Sequence, residues 1–251
     1  MPTSSQERRF LLIDISNTFA KIAIATRSHL GKPIKISTAK LSARLLMQKF
    51  PRIAEMQVVL CSVVPEASKA LVPSLPPTTI HVSARNAGGL RIDYPRPATI
   101  GADRLANALA CVKKFGAPAI VVDFGTAVTF DVVSTEGAYI GGVIAPGLNV
   151  MADYLHSRTA LLPLIRLERP QRAVGRSTKE AMLSGAVHGY RGLVKEILAQ
   201  ICREQFVGVR PAIVATGGDA KLIGGSVRIF DVVDPLLTLR GLQIIAKTSV
   251  A

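Results

Sequence analysis

Two short apolar runs that each end on a carboxylate dominate the pattern of hydrophobic and polar positions. The first, residues 10–24, reads FLLIDISNTFAKIAI and predicts a strand ending at Asp14, a turn and a second strand. Residues 119–133 repeat this pattern around Asp123, and the two carboxylates are 109 residues apart. A motif repeated at nearly half the chain length indicates a duplicated domain with a site between the copies.

The elements predicted for the rest of the chain follow a similar order in both halves. In the first half, the periodicity predicts strands over 34–39, 56–64 and 79–82 and helices over 42–50, 65–71 and 105–115. In the second half, it predicts helices over 148–155, 178–204 and 235–247 and strands over 212–216 and 228–234. Mixed α/β layers follow from this alternation. We place the domain boundary near residues 115–118, which gives domains 1–117 and 118–251.

The two turns carry groups that suit a phosphate ligand. In Asp123-Phe124-Gly125-Thr126, a glycine lets backbone N–H groups approach a ligand and a hydroxyl follows it. The turn after Asp14 supplies the hydroxyls of Ser16 and Thr18. The alternative for each turn is a plain hairpin with a buried, hydrogen-bonded aspartate. The duplication favours the functional interpretation.

A third candidate lies where a loop leads into a helix. Residues 86–100 contain two glycines and two prolines, and such a loop inside a compact chain is often functional. It leads into Gly101-Ala102-Asp103-Arg104. At a helix start a carboxylate caps free N–H groups, and spacing alone slightly favours that role for Asp103 over a catalytic one. Thr178 is likewise predicted as the cap of a long helix.

Composition narrows the class of protein. Of the 251 residues, 49% are hydrophobic and 19% are charged, as in a globular chain. No apolar run approaches the ~20 residues of a membrane span, and the first residues lack the layout of a signal peptide. Three scattered cysteines, Cys61, Cys111 and Cys202, have no metal-binding spacing. Together these features predict reduced thiols, no membrane partner and a cytoplasmic protein.

The net charge of +14 is concentrated in the first half of the chain. Residues 1–115 hold 17 Lys and Arg against 6 Asp and Glu, whereas residues 116–251 hold 14 against 11. Such a surface attracts phosphates and also binds nucleic acid non-specifically. Because aromatic residues make up only 5% of the chain and are not interleaved with the basic ones, we interpret the charge mainly as a solvating surface. A nucleic-acid partner is disfavoured but not excluded.

Six motifs in order identify a family resemblance. DISNT, YPRPATIGADR, VVDFGTAVTFDVV, YIGGVIAPGL, VGRSTKEAMLSG and VATGGDA resemble those of the type III pantothenate kinases, members of the acetate and sugar kinase, Hsp70 and actin superfamily. The match covers almost the whole chain. A Walker motif and a dinucleotide-binding G-x-G-x-x-G are both absent from the sequence. The resemblance implies an α/β fold of duplicated actin-like (ribonuclease H-like) domains, with mixed sheets flanked by helices and ATP in the cleft between them.

The resemblance also implies a reaction, its cofactors and a set of site residues. The reaction is ATP-dependent phosphorylation of the primary hydroxyl of pantothenate to 4'-phosphopantothenate, the first step towards coenzyme A. It uses Mg²⁺ with ATP and a monovalent cation, K⁺ or NH₄⁺, held by Asp123. The implied partner is a second copy of the chain, because Thr178 matches a substrate contact supplied by the neighbouring subunit. The implied ATP-binding residues are Asp14, Ile15, Ser16, Asn17, Thr18, Phe19, Ala20, Lys21, Gly125, Thr126, Gly217 and Gly218. The implied pantothenate-binding residues are Tyr94, Gly101, Ala102, Asp103, Arg104 and Thr178.

Asp103 matches the general base proposed for the family. A carboxylate within hydrogen-bond reach of an alcohol takes its proton as the phosphorus–oxygen bond forms. Arg104 suits either the carboxylate of pantothenate or the developing phosphoryl charge. With the resemblance included, the catalytic role of Asp103 is favoured over capping, and both can hold together.

The first turn departs from the family pattern of Asp-x-Gly-Asn-Thr followed by a polar residue. Ser16 replaces the glycine and Phe19 the polar residue. If the turn required a positive φ, Ser16 would add strain of about 1 kcal/mol or more. Two alternatives therefore accompany the kinase. One is a catalytically weak regulatory protein like the Bvg accessory factors, and the other is a kinase for another small alcohol.

Overall fold

The chain forms two compact units in a computed structural model that describes residues 8–225 and 229–249. Unit 1 comprises the residues up to 114 together with those from 236 onwards, and unit 2 comprises residues 115–235. Each unit contains a mixed sheet with helices, as predicted for an α/β fold.

Eleven strands and seven α-helices occur in the described residues. The strands are β1 Phe10–Ile15, β2 Phe19–Ala25, β3 Ile34–Ser37, β4 Gln57–Ser62, β5 Ile80–His81, β6 Arg91–Ile92, β7 Ala119–Phe124, β8 Ala127–Val133, β9 Ala138–Pro146, β10 Ala212–Gly217 and β11 Val232–Val233. The helices are α1 Ala43–Lys49, α2 Pro65–Leu71, α3 Ala102–Phe115, α4 Leu148–Arg158, α5 Thr178–Gln205, α6 Ala220–Gly224 and α7 Leu237–Thr248.

The sheet of unit 1 has the strand order β3-β2-β1-β4-β5. β1 pairs antiparallel with β2 and parallel with β4. All six residues of β1 are buried, because successive side chains point to opposite faces and both faces are covered. Phe10 and Leu12 pack in a core with α3 and α7. Leu11 and Ile13 pack in a second core with α1 and α2.

The strands β7 to β11 of unit 2 repeat this topology. They run in the order β9-β8-β7-β10-β11, with β7 antiparallel to β8 and parallel to β10. The core of this unit lies between the sheet and α5, which contributes Val187, Tyr190 and Val194. The same strand order and the same directions in both units support the internal duplication indicated by the sequence.

The terminal helix α7 packs with unit 1, against β1 and β4. Its Gly241 lies close to α3, because a methyl group placed there would be 2.1 Å from the carbonyl oxygen of Ala106. The predicted domains 1–117 and 118–251 place α7 in the second copy, whereas the two compact units place it in unit 1. The predicted domains describe the duplicated copies and stay a prediction. The chain passes from unit 1 to unit 2 between Lys114 and Phe115, next to the predicted boundary.

The other differences from prediction concern short elements. The strand predicted over 228–234 is limited to β11 within the described residues, and residue 228 lies outside them. Neither β6 nor α6 was predicted. All three cysteines are free. Burial raises the pKa of Cys111 to about 12, so that thiol is protonated at neutral pH. In the described part of the chain, no helix combines the length and the apolar character needed to cross a membrane.

Candidate active site

The β1–β2 turn presents polar groups at the end of the central strand of unit 1. Asp14 is 4% exposed and is aligned with Lys21 of β2 and Cys61 of β4. The turn closes through a hydrogen bond from the Ser16 amide to the Phe19 carbonyl, 3.1 Å. Thr38 supports it from outside, since its hydroxyl donates to the Ser16 carbonyl at 2.7 Å. The predicted run Asp14–Lys21 therefore forms one hairpin with a buried carboxylate and an exposed tip.

The two departures from the family pattern in this turn are accommodated. No described residue other than glycine has a positive φ, so Ser16 does not carry the strain that a left-handed turn would impose. The Phe19 ring is 39% exposed, and the Lys35 ammonium lies 3.7 Å from its centroid. This cation–π contact keeps a positive charge beside the turn. The replacements thus leave the turn closed, with the Lys35 ammonium beside it.

Asp103 lies in the first turn of α3 and serves there as a helix-terminal acceptor. Its Oδ1 accepts a hydrogen bond from the Arg104 backbone N–H at 2.8 Å. A methyl group placed on Gly101 would be 2.7 Å from the same oxygen, so only glycine at 101 leaves this side of the carboxylate open. The capping role expected of Asp103 is therefore realised through one N–H group, and a side chain at position 101 would collide with the carboxylate.

Burial raises the pKa of Asp103 above its ordinary value. The Arg104 N–H bond and the Arg104 charge act in the opposite direction and do not cancel it. A more basic carboxylate is a better proton acceptor once ionised. The local environment of Asp103 is thus that of a candidate general base.

In unit 2, three backbone turns meet around Gly125 and Thr126. The Gly147 amide donates to the Thr126 carbonyl at 3.0 Å, and a methyl group on Gly147 would be 2.4 Å from that oxygen. On the other side, the Gly218 amide donates to the Phe124 carbonyl at 2.9 Å. The β7–β8 turn is therefore held between the β9–α4 corner and the β10–α6 turn.

Gly217 is required at its position by conformation and by space. Its φ is +91°, and a methyl group there would be 2.4 Å from the Phe124 carbonyl oxygen. Gly125, Thr126 and Gly218 are exposed around this contact, and Asp123 is half-buried at the end of β7. The structure thus brings together five predicted residues: Asp123, Gly125, Thr126, Gly217 and Gly218.

The loop before α5 is pinned to the first turn of that helix. The cap is Ser177, whose hydroxyl accepts the Glu180 N–H at 3.3 Å, so the prediction of Thr178 as cap was wrong by one residue. Arg176 donates its backbone N–H to the Glu180 carboxylate at 2.8 Å. Thr178 is exposed as the first helical residue, and within the described chain no hydrogen bond joins it to the other predicted residues.

The remaining predicted residues precede α3 in unit 1. Tyr94 is 37% exposed in the loop that follows β6, Gly101 and Arg104 are half-buried, and Ala102 is buried. The Arg104 side chain lies along Gly101, with its Cγ and Cδ 3.6 Å from the position of a methyl group there. These residues form a short segment around the Asp103 carboxylate.

One polar contact beside the Gly217–Gly218 turn was not predicted. Asn149 of α4 donates its amide to Asp219 Oδ2 at 2.9 Å, a link across 70 residues. Burial raises the pKa of Asp219, and the bond from Asn149 opposes the rise. Asp219 belongs to the VATGGDA motif, which was the available signal, but no sequence pattern indicated Asn149 as its partner.

Comparison with known proteins identifies the family. Residues 10–200 match the family model for type III pantothenate kinase. A type III pantothenate kinase of Akkermansia muciniphila is 49% identical over 94% of this chain and 98% of its own length. One from Methylacidiphilum infernorum is 41% identical over 94% of this chain and 88% of its own. The chain belongs to the type III pantothenate kinase family.

Among solved structures, the fold resembles that of actin-like proteins. The archaeal actin homolog Ta0583 superposes with a TM-score of 0.53 at 13% identity, covering 95% of this chain and 99% of the homolog. At that identity the likeness shows the fold alone. It agrees with the duplicated strand order described above, and a type III pantothenate kinase with actin-like domains is what the motifs implied.

Proposed function

We propose that the protein transfers the γ-phosphoryl group of ATP to the primary hydroxyl of pantothenate, giving 4'-phosphopantothenate and ADP. This reaction is the first step of coenzyme A synthesis. The observation that carries the proposal is the 49% identity to a type III pantothenate kinase over 98% of that enzyme. No finding favours the regulatory alternative or a different small alcohol.

In the proposed reaction, Asp103 accepts the proton of the pantothenate hydroxyl. The oxygen then forms a bond to the γ-phosphorus as the bond between that phosphorus and the β–γ bridging oxygen breaks, and ADP leaves with the electron pair. The raised pKa of Asp103 and the position of its carboxylate against Gly101, which has no side chain, support this role. Arg104, which lies along the same glycine, stabilises the charge that develops on the transferred group.

ATP is bound through the two turns that end the central strands. We assign phosphate contacts to the residues Asp14–Lys21 and to Gly125 and Thr126, and adenosine contacts to Gly217 and Gly218. The exposed backbone of the β7–β8 turn and the cationic Phe19–Lys35 pair support this assignment.

Mg²⁺ fits a site of this kind as a companion of ATP. Within the described residues no three acidic, His or Cys side chains cluster as a metal cage, and Mg²⁺ is commonly held by phosphates, water and one or two carboxylates. Asp14 is the carboxylate we assign to it. When bound, Mg²⁺ neutralises phosphate charge. For the monovalent cation, Asp123 is aligned with Thr129 and Thr216 on the neighbouring strands, an oxygen-rich set suited to a hard cation.

We also propose a cytoplasmic homodimer in which Thr178 reaches the pantothenate of the partner subunit. Large apolar side chains are exposed on α4 and in the loop before α5: Tyr154 is 60%, Leu161 90% and Val174 80% exposed. Large apolar side chains that stay exposed favour an interaction surface. Their position in the chain segments that lead to Thr178 supports a second copy as the partner.

Purified protein with ATP, Mg²⁺, K⁺ and pantothenate tests the function. We expect ADP formation that depends on pantothenate, with 4'-phosphopantothenate detected by mass. Absence of turnover, together with tight salt-sensitive DNA binding, would favour the regulatory alternative. Turnover with another small alcohol but not with pantothenate would change the substrate.

A further inference from the structure

Three charged side chains form a row across the sheet of unit 1, next to the β1–β2 turn. Asp14 of β1 is aligned with Lys21 of β2, and Lys21 is aligned with Lys35 of β3. Residues paired in this way have their side chains on one face of the sheet. Leu12 of β1 belongs to the same face and packs in a core with α3. The row therefore places two positive charges and one negative charge on the face of the sheet that α3 covers.

The two lysines of this row have no acidic partner within the described residues. Neither ammonium takes part in an ion pair or a side-chain hydrogen bond there. Lys35 is exposed, and Lys21 is half-buried. Like charges that face each other across two antiparallel strands repel, and the buried Asp14 supplies only one negative charge. One positive charge therefore remains that a bound anion can offset.

Phe19 directs the Lys35 ammonium towards the turn. The nitrogen lies 3.7 Å from the centroid of the Phe19 ring, and Phe19 is the first residue of β2, directly after the turn. A cation over the face of a ring is attracted by the quadrupole of the ring. Position 19 is where the family pattern has a polar residue. Since a phenyl ring has no polar group for a ligand, the charge at this point of the turn comes from Lys35.

The strand that carries Lys35 is also bonded to the turn. Thr38 directly follows the last residue of β3. Its hydroxyl donates to the Ser16 carbonyl at 2.7 Å, and its backbone N–H donates to the Thr18 carbonyl at 3.1 Å. Two hydrogen bonds from one residue thus join the end of β3 to the turn. The backbone of Lys35 is held in a fixed relation to the turn, three residues before this junction.

We infer that Lys35 binds the phosphates of ATP together with Lys21, and that Phe19 is its positioning residue. The inference rests on the proposed function, which assigns phosphate contacts to the residues Asp14–Lys21, and it adds a residue outside that run. The backbones of Lys35 and Asp14 are two strand spacings apart, or about 10 Å. Phosphates whose Mg²⁺ is held by Asp14 therefore lie within reach of the long lysine side chain. The cation on the neighbouring strand replaces the polar group that position 19 lacks.

Calorimetric titration with ATP and with adenosine tests the role of Lys35, because adenosine lacks the phosphates. For Lys35→Ala we expect the Kd of ATP to rise about tenfold, the scale of one charge-assisted hydrogen bond, and the Kd of adenosine to stay unchanged. Lys35→Arg keeps the charge and should recover most of the loss. Lys40→Ala is the control, since Lys40 is an exposed lysine that follows the same strand and lies outside the row.

The positioning role of Phe19 has its own readout. Phe19→Leu removes the ring and should raise the Kd of ATP about two- to fivefold, the scale of an exposed cation–π contact. Phe19→Tyr keeps the ring and should bind ATP like the wild type. In the double variant of Phe19→Leu and Lys35→Ala, the loss should equal that of Lys35→Ala alone, because the ring acts through the lysine. Additive losses would overturn the positioning role.

Two results would overturn the role of Lys35. One is an unchanged Kd of ATP in Lys35→Ala; aggregation of that variant would then leave Lys35 as protection of the sheet edge, a common use of lysine on edge strands. The other is an equal loss for ATP and adenosine, because charge would not be its cause. The titration needs no turnover. ATP binding that depends on Lys35 without phosphorylation of pantothenate would refute the proposed function alone, whereas an active enzyme with an unchanged Kd in Lys35→Ala would refute only the inference.

Discussion

Replacement of Asp103 by Asn separates the role that the structure shows, helix-terminal acceptor, from the role that we propose, general base. The amide oxygen of Asn can still accept the Arg104 N–H bond that Oδ1 accepts at 2.8 Å, so the first turn of α3 should persist. What the variant loses is the negative charge at a helix N-terminus, worth about 0.3–1 kcal/mol, and this loss is opposed by the removal of a buried charge. We expect the free energy of unfolding to change by less than about 1 kcal/mol.

The rate should respond much more strongly. An amide cannot accept the substrate proton, and general-base catalysis contributes a factor of at least ~100, or about 2.7 kcal/mol of barrier. The loss in kcat should therefore exceed any loss of stability by a wide margin. Turnover is measured with a coupled ADP assay, and thermal unfolding is followed on the same preparations. Glu55→Gln, the same chemical change at an exposed surface pair of unit 1, is the control.

The pH dependence gives a second readout with a definite sign. Because the folded pKa of Asp103 is raised, the base ionises later than an ordinary aspartate, and kcat/KM should rise with pH through a pKa above the usual range. The same shift gives a stabilising contribution that is full below the unfolded pKa and is lost as pH rises through the folded pKa. The stability of Asp103→Asn relative to the wild type should thus improve from acid to neutral pH. Near-normal turnover in the variant would leave Asp103 as a cap and refute the catalytic assignment.

Three further predictions test the supports of the site. Gly217→Ala should destabilise the protein by about 2–3 kcal/mol in thermal unfolding and weaken ATP binding, because position 217 has a positive φ and a methyl group there clashes with backbone. Gly218→Ala is the control and should leave the melting temperature unchanged, because the space around position 218 is open. If Thr178 completes the neighbour's site, mixing inactive Thr178→Ala and Asp103→Asn subunits should restore activity up to about a quarter of wild type; an active monomer in sedimentation would contradict this. K⁺ should stimulate turnover of the wild type, and Asp123→Asn should abolish this stimulation. The ADP assay in Na⁺ alone gives the rate that remains without K⁺. An equal stimulation by K⁺ in the wild type and in Asp123→Asn would refute the cation role of Asp123.

The sequence predicted the elements that carry strong periodicity and missed those held by backbone contacts. The apolar run that ends at Asp14 is typical of a buried strand, and β1 was predicted to within one residue. The five-residue helix α6 is too short to show a hydrophobic period and follows two glycines, which disfavour a helix. Neighbouring hydroxyls at Ser177 and Thr178 both suit a cap, and only side-chain geometry distinguishes them.

The partner of α7 shows a different limit. Its apolar face predicts that the helix is buried, but amphipathicity does not specify which surface covers it. In the structure, α3 covers part of this face, because Gly241 lets α7 approach the Ala106 carbonyl closely. Any larger residue at position 241 would prevent this contact. The same holds for the Asn149–Asp219 bond, since residues 70 positions apart are joined by geometry and not by a local pattern.

The duplication explains why the two turns are similar in position within their own units and unlike in construction. Asp14 and Asp123 are each the fifth residue of a six-residue strand, at the centre of the five-strand orders β3-β2-β1-β4-β5 and β9-β8-β7-β10-β11. The first turn is closed by its own hydrogen bonds and by Thr38, and it has a side chain at every position. The second is held by the backbones of Gly147 and Gly218 and leaves Gly125 and Thr126 exposed. The two turns thus share a topology and differ in construction, and the general base that we propose, Asp103, lies outside both of them at the start of α3.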